Sequence, residues 1–235
     1  MTELYLVRHC EAQGNLDHIF HGITDTEVTE RGKEQLGALA ERFKNIPIDI
    51  IYASPLKRTV ATANAINKYH NCKIIVDDRV IEINGGEIEG MKWTKIRKEY
   101  AELGNAFSND ILNFNPQKGE STVAVAQRGY QALMDIVNKN KGKSIAVATH
   151  GAFIRMSISL LSGGKIEDIP KIKWMENTGI TAVRFDDDFN CEVVCYDDCL
   201  HIEESGVELY RPWSKEEVNL DFPLSAKWGH LLGEK

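Results

Sequence analysis

The sequence predicts an α/β fold, a three-layer α/β/α sandwich with a mostly parallel sheet and an antiparallel edge strand. Three observations predict it. Short apolar runs alternate with stretches of helical spacing through residue 162. Two of those runs, 4–7 and 145–149, end in a histidine followed by a small residue, His9-Cys10 and His150-Gly151. Two later runs, 180–185 and 192–196, flank the polar turn Asp186-Asp187-Asp188-Phe189-Asn190 as in a hairpin.

The first strand is expected over 3–7. Four apolar residues in a row suit a strand buried on both faces, and Arg8-His9 at its carboxyl end stand where open α/β sheets bind ligands. The alternative at this position is two solvated polar residues. A polar loop follows, 11–27, with His18 and His21; loops leaving a buried strand end often carry function. Thr29 is a plausible N-cap for a helix with Leu36, Leu39, Ala40 and Phe43 at helical spacing.

A second strand, 49–53, runs into Ser54-Pro55, the signature of a helix start. Arg58 then falls in the first turn, where a cation opposes the helix dipole unless an anion is held there; a solvated arginine is the alternative. A third strand is expected over 73–76. In Val80-Ile81-Glu82-Ile83-Asn84-Gly85-Gly86, Glu82 alternates with isoleucines and so faces away from them. It is either a partly desolvated acid–base group or a simple solvent-facing carboxylate.

Trp93, Ile96 and Tyr100 mark an amphipathic helix. Residues 102–118 are weakly periodic and are expected to form a lid or variable insertion. Gly119-Glu120-Ser121 precedes a long helix with Val123, Ala126, Tyr130, Leu133, Met134 and Val137 turned inward. After the fourth strand and His150, a helix beginning near Ala152 packs on the sheet. The whole of 1–235 is expected to be a single domain with a C-terminal extension from about 202, holding Trp213, Phe222 and Trp228.

Composition narrows the function classes. The chain has 235 residues, 43% hydrophobic and 27% charged, so it can bury a sizeable core. A net charge of −7 argues against a nucleic-acid partner. Five cysteines without a CxxC pair argue against a disulfide framework or structural zinc and point to the cytoplasm. No leader pattern opens the sequence, and no apolar run approaches the roughly 18 residues that would span a bilayer.

At one sheet edge the topology thus gathers Arg8, His9, Arg58, Glu82 and His150. Guanidinium groups match phosphate oxygens, a neutral imidazole can attack phosphorus, and a carboxylic acid can protonate the leaving oxygen. No metal and no cofactor is required.

These residues carry a resemblance. Arg8-His9-Cys10-Glu11 with Asn15, Ser54-Pro55-Leu56-Lys57-Arg58-Thr59, Glu82-Ile83-Asn84-Gly85-Gly86 with Glu89-Gly90, Gly119-Glu120-Ser121, Thr149-His150-Gly151, Asn177 and Asp198-Cys199-Leu200-His201 resemble, in order, the histidine phosphatase superfamily, the phosphoglycerate mutase-like family. The resemblance implies that fold and a metal-independent acid-type phosphatase. It makes His9 the nucleophile, Glu82 the proton donor and acceptor, and Arg8, Arg58 and His150 the holders of the phosphoryl group. Asn15, His21, Gly22 and Gly151 join the substrate-binding set.

The chain departs from the family pattern at Cys10, where a Gly is usual, and at His18 and His21, where Arg and Gln are frequent. Cys10 is expected to be a tolerated substitution. True mutases of the family carry a basic and aromatic insertion after the acid-bearing segment; here Glu89-Gly90 leads straight to the Trp93 helix. The expected activity is therefore hydrolysis of a small phosphorylated metabolite. A cofactor-dependent phosphoglycerate mutase and a non-catalytic phosphate-binding protein are the alternatives. The expected partner is that small substrate, with no membrane; a homodimer is left open.

Overall fold

A computed structural model of the chain describes residues 1–208. Six strands form one sheet in the order β3-β2-β4-β1-β5-β6: β1 Thr2–Arg8, β2 Ile50–Ala53, β3 Ile74–Val76, β4 Ser144–Thr149, β5 Ile180–Phe185 and β6 Cys191–Asp198. The first four run parallel. β5 pairs antiparallel with β1 and β6 antiparallel with β5, so β5 alone runs against the other five strands, and β6 forms the edge.

Helices cover both faces because strand side chains alternate. Tyr5, Val7, Ile51, Ala146 and Ala148 pack against Leu39 and Phe43 of α2 (Glu30–Phe43) and Ala63 and Ile66 of α3 (Lys57–Ile66). Leu4, Leu6, Ile145 and Val147 pack against Leu133 and Val137 of α6 (Thr122–Lys139) and Phe153 and Ile154 of α7 (Gly151–Leu161). A buried parallel strand needs this double cover, which is why β1 and β4 are nearly continuous apolar runs.

The connection leaving β1 passes through α2 on one face, whereas the one leaving β4 passes through α7 on the other. The crevice between β1 and β4 is therefore the switch point at which such sheets bind ligands. Register completes the placement. Arg8 pairs with Thr149, so His9 and His150 leave the sheet side by side, and His9 N donates to Thr149 O at 2.9 Å.

Several expectations need correction. Helix α3 starts at Lys57 with Leu56 as N-cap, two residues later than Ser54-Pro55 suggests. Residues 102–118, expected to be a lid or variable insertion, carry regular structure. They form α5 (Ala101–Asn109), following α4 (Trp93–Glu99), and then a short 3-10 turn at Ile111–Asn113. Phe107 and Phe114 of this stretch stack with Phe20 in a buried aromatic cluster, with ring centroids 4.9–6.0 Å apart. The periodicity was faint because aromatic packing against the 11–27 loop orders the segment. In α6, Tyr130 faces outward, and Val125, Ala132 and Ile136 take the core positions. The 11–27 loop contains a turn of helix, α1 (Gln13–Leu16). Thr29 does cap α2, accepting from Gly32 N at 2.9 Å. Of the C-terminal extension, helix α8 (Leu200–Ser205) is described, while Trp213, Phe222 and Trp228 lie outside the described residues. Among the described residues no helix is long and apolar enough to cross a membrane.

Candidate active site

His9 and His150 stand with ring centroids 5.2 Å apart, and the ring of His21 approaches that of His9 edge-on at 5.9 Å. All three sit at the β1–β4 crevice, with His9 and His150 almost wholly buried. The Nδ1–H of His9 donates to the carbonyl of Cys10 at 2.6 Å, which leaves the lone pair on Nε2. Burial is the first cause that holds the pKa of His9 well below its ordinary value; the positive fields of Arg58, His150, Arg8 and His21 add to it. A neutral imidazole with a free Nε2 is a nucleophile at physiological pH.

The loop 175–179 fixes this strand end from the other side. Thr178 N donates to the carbonyls of Arg8 and His9 at 3.1 and 3.3 Å, and the Asn177 amide donates to His9 O at 2.9 Å. His150 Nε2 meets Ser54 Oγ at 2.8 Å. With the serine hydroxyl donating, His150 presents Nδ1–H. Burial, then Arg58, depresses its pKa as well. Ser54, expected to begin a helix, instead orients this imidazole.

Arg58 is fully buried, and its two terminal nitrogens donate to the carbonyls of His21, Gly22 and Thr24 at 2.7–3.0 Å. It therefore braces the 21–24 loop as well as facing the crevice. Arg8 donates through Nη1 to the carbonyl of Met175. Both guanidinium groups leave Nε unused. Arg8 Nε, Arg58 Nε, His21 Nδ1 and His150 Nδ1 are all buried without a hydrogen-bond partner. An orphaned buried nitrogen is costly, about 1–3 kcal/mol each. Four such nitrogens, all on residues that adjoin His9, are what an anion's oxygens could satisfy.

Glu82 lies at the N-terminus of α7. Its Oε1 accepts from Ile83 N and Phe153 N at 2.9 and 2.8 Å, and its Oε2 accepts from Ala152 N at 3.0 Å. Burial raises its pKa, against the downward pull of those N–H groups and of Arg58. Two bonds fill Oε1, so the vacant acceptor position, and hence the mobile proton, belongs to Oε2.

Other motif residues turn out to build the frame. Glu11 is buried and holds Arg31 and Thr29 of the α2 entry, the latter at 2.6 Å. Glu89 accepts from Ile23 N, Thr24 N, Thr24 Oγ1 and Gly85 N at 2.6–3.1 Å, tying the 21–24 loop to the acid-bearing segment. Glu120 accepts from Asn84 N at 3.1 Å and pairs with Arg128, which in turn donates to the carbonyls of Arg79 and Ile81. Nothing in the 79–84 sequence indicates this clamp from α6.

Asn15 Oδ1 accepts from Ala12 N at 3.0 Å, closing the first turn of α1. A Cβ at Gly22 would meet Ile83 O at 1.9 Å, and one at Gly151 would lie 3.2 Å from Arg8 Nε, so both glycines permit close backbone approach. His18 is exposed on the surface of the loop. Cys10 is fully buried, its thiol pushed up to about 12 chiefly by burial; Cys10 N donates to Thr62 Oγ1 at 3.1 Å. All five cysteines are free thiols.

Comparison with known proteins agrees with this geometry. The family model of the histidine phosphatase superfamily (branch 1) matches residues 4–198. The chain is 32% identical over 163 residues to phosphoserine phosphatase 1 of Hydrogenobacter thermophilus, covering 69% of this chain and 77% of that protein. It is 31% identical over 208 residues to phosphoglycerate mutase-like protein 4 of Arabidopsis thaliana, covering 87% and 89%. The crystal structure of a phosphoserine phosphatase mutant from Entamoeba histolytica in complex with phosphoserine superposes with a TM-score of 0.74 at 29% identity, over 86% of this chain and all of that one. With two imidazoles, two guanidinium groups and a capped carboxyl converging at the β1–β4 crevice, and with that model spanning nearly all the described residues, the chain belongs to the histidine phosphatase superfamily, branch 1.

Proposed function

We propose that this protein hydrolyses a small phosphorylated metabolite through a phosphohistidine formed on His9. The observation that carries the proposal is the set of four orphaned nitrogens, Arg8 Nε, Arg58 Nε, His21 Nδ1 and His150 Nδ1, on residues that surround His9: two rings with centroids 5.9 and 5.2 Å from its own, and two guanidinium groups whose charge acts on it. A phosphoryl group there gives each N–H an oxygen. Donors placed in a water-poor site stabilise the charge that spreads over those oxygens in the transition state.

The His9 Nε2 lone pair attacks phosphorus, and the bond to the leaving oxygen breaks with its electron pair. Glu82 Oε2 supplies the proton that this oxygen takes up. The carboxylate so formed then removes a proton from water. The hydroxide attacks phosphorus, the P–N bond breaks, and its electron pair returns to His9. Asn15 keeps amide N–H groups for the substrate, and the backbone at Gly22 and Gly151 lets the substrate approach closely. The phosphoserine phosphatase relatives support hydrolysis.

The test is turnover of para-nitrophenyl phosphate near pH 6, with His9→Ala as control. Wild-type turnover should fall to background in the variant, and quenching in alkaline detergent should trap a phosphoprotein that is alkali-stable and acid-labile. Equal turnover by His9→Ala would end the reading. Adding 3-phosphoglycerate with 2,3-bisphosphoglycerate checks the mutase alternative. Phosphate release should exceed interconversion; the reverse would make the protein a mutase.

A further inference from the structure

Beside the phosphate site lies a cavity of about 530 Å³, lined by Ile23, Thr24, Asn84, Glu87, Glu89 and Lys118 together with Gly86. Two of its lining residues connect it to that site. The carbonyl of Thr24 holds Arg58 Nη1 at 2.9 Å, and Asn84 is two residues from Glu82. A volume of this order suits a small metabolite. The part of a phosphate monoester that is not phosphate would enter here.

The carboxylates nearby differ in how they are satisfied. Glu82 accepts three backbone N–H groups, Glu89 four donors, and Glu120 both Asn84 N and Arg128. Glu87 is the exception. Its Oε2 is buried with no hydrogen-bond partner, and no cation among the described residues pairs with it. A partly buried carboxylate without donors is unfavourable unless something outside the protein brings a positive charge to it. The same cavity has one cation in its lining, Lys118, which is exposed.

We propose that Glu87 is a specificity residue that binds an ammonium group on the substrate, with Lys118 meeting a carboxylate, so that the preferred substrate class is a phosphorylated amino acid or amino alcohol. The inference rests on the phosphatase reading above and deepens it. An ammonium group donates three N–H bonds, and Glu87 offers unfilled acceptor positions. A hydroxyl in the same place donates one and brings no charge.

The experiment compares O-phosphoserine with 3-phosphoglycerate, which differ in carrying an ammonium or a hydroxyl at the same carbon. The readout is the ratio of their kcat/KM values, from which any general loss of activity cancels. Wild type should favour phosphoserine by at least about tenfold, the worth of one charge-assisted hydrogen bond. Glu87→Gln should bring the ratio near one, mainly through a higher KM for phosphoserine. Lys118→Ala should raise KM for both of these carboxylate-bearing substrates and spare phosphoethanolamine.

A wild-type ratio near or below one overturns the inference without needing any variant, and so does a ratio that Glu87→Gln leaves unchanged. Either result leaves the phosphatase reading standing, provided that phosphate is released. If the folded wild type releases phosphate from none of the esters, para-nitrophenyl phosphate included, the underlying reading fails and the specificity claim falls with it.

Discussion

In the proposed mechanism Glu82 serves structure and chemistry together. Its carboxylate takes the first N–H groups of α7, a position that favours negative charge, yet burial raises its pKa and favours the proton. Glu82→Gln must set an amide N–H against a backbone N–H, so part of the helix cap is lost, at about 0.5–2 kcal/mol of stability. Its effect on rate depends on the leaving group. Turnover of an alkyl phosphate should drop about 10²–10⁴-fold, because a basic leaving oxygen needs a proton. Para-nitrophenyl phosphate, with a weakly basic leaving oxygen, should lose far less, and inorganic phosphate should bind as inhibitor nearly as well as before. Equal losses for both esters would remove the proton-transfer role.

Among the elements, α6 and α7 frame the site: His150 is the N-cap of α7, whose first N–H groups Glu82 accepts, while Arg128 of α6 pairs with Glu120 just ahead of that helix. They approach closely at Gly129, where a Cβ would lie 1.8 Å from Ser157 Oγ and 3.1 Å from the Phe153 ring. Gly129→Ala sets two effects against each other. Alanine improves helix propensity by about 1 kcal/mol, whereas overpacking costs about 1–3 kcal/mol. The contact is well inside van der Waals distance, so the clash wins. The expected net loss is about 1–2 kcal/mol in a urea denaturation midpoint, partly recovered by Ser157→Ala. An increase in stability would show that α7 can shift at no cost.

For the whole molecule, the buried imidazoles govern the response to acid. His9 and His150 are held well below the usual value, His21 at about 3 and His201 at about 4, in each case first by burial. The unfolded chain protonates these groups below about 6.5, where the folded chain does not. Their contribution to stability is present above that pH and is lost as pH falls toward the folded values. Glu82 and Asp197, the latter raised to about 7 by burial, act with the opposite sign. They stabilise below the unfolded carboxyl pKa and lose that contribution as pH rises through the folded value. Four imidazoles outnumber two carboxyl groups. The unfolding free energy should therefore fall between pH 6.5 and 4.5, by about 1.4 kcal/mol per pH unit for each excess proton, and the melting temperature with it. A flat profile over that window would contradict neutral burial of the histidine cluster.

Much of this was determined by the sequence alone. Apolar runs that must be covered on both faces dictate buried parallel strands, and alternation of strands with helices dictates the layers. Arg8-His9 and Thr149-His150 mark their own importance because polar residues abruptly end a buried strand. What only the tertiary structure decided is whatever depends on partners remote in the chain. Ser54 looked like a helix cap until the parallel β2–β4 pairing put it against His150. Residues 102–118 looked weakly periodic because their order comes from Phe20 rather than from their own spacing. Arg58 carries no local sign that its fork holds three carbonyls of the 21–24 loop. Glu87 resembles any exposed glutamate until Glu89 and Glu120 are found to have claimed the available donors. Local pattern reports burial and periodicity, whereas the filling of donors and acceptors is settled only when distant segments meet.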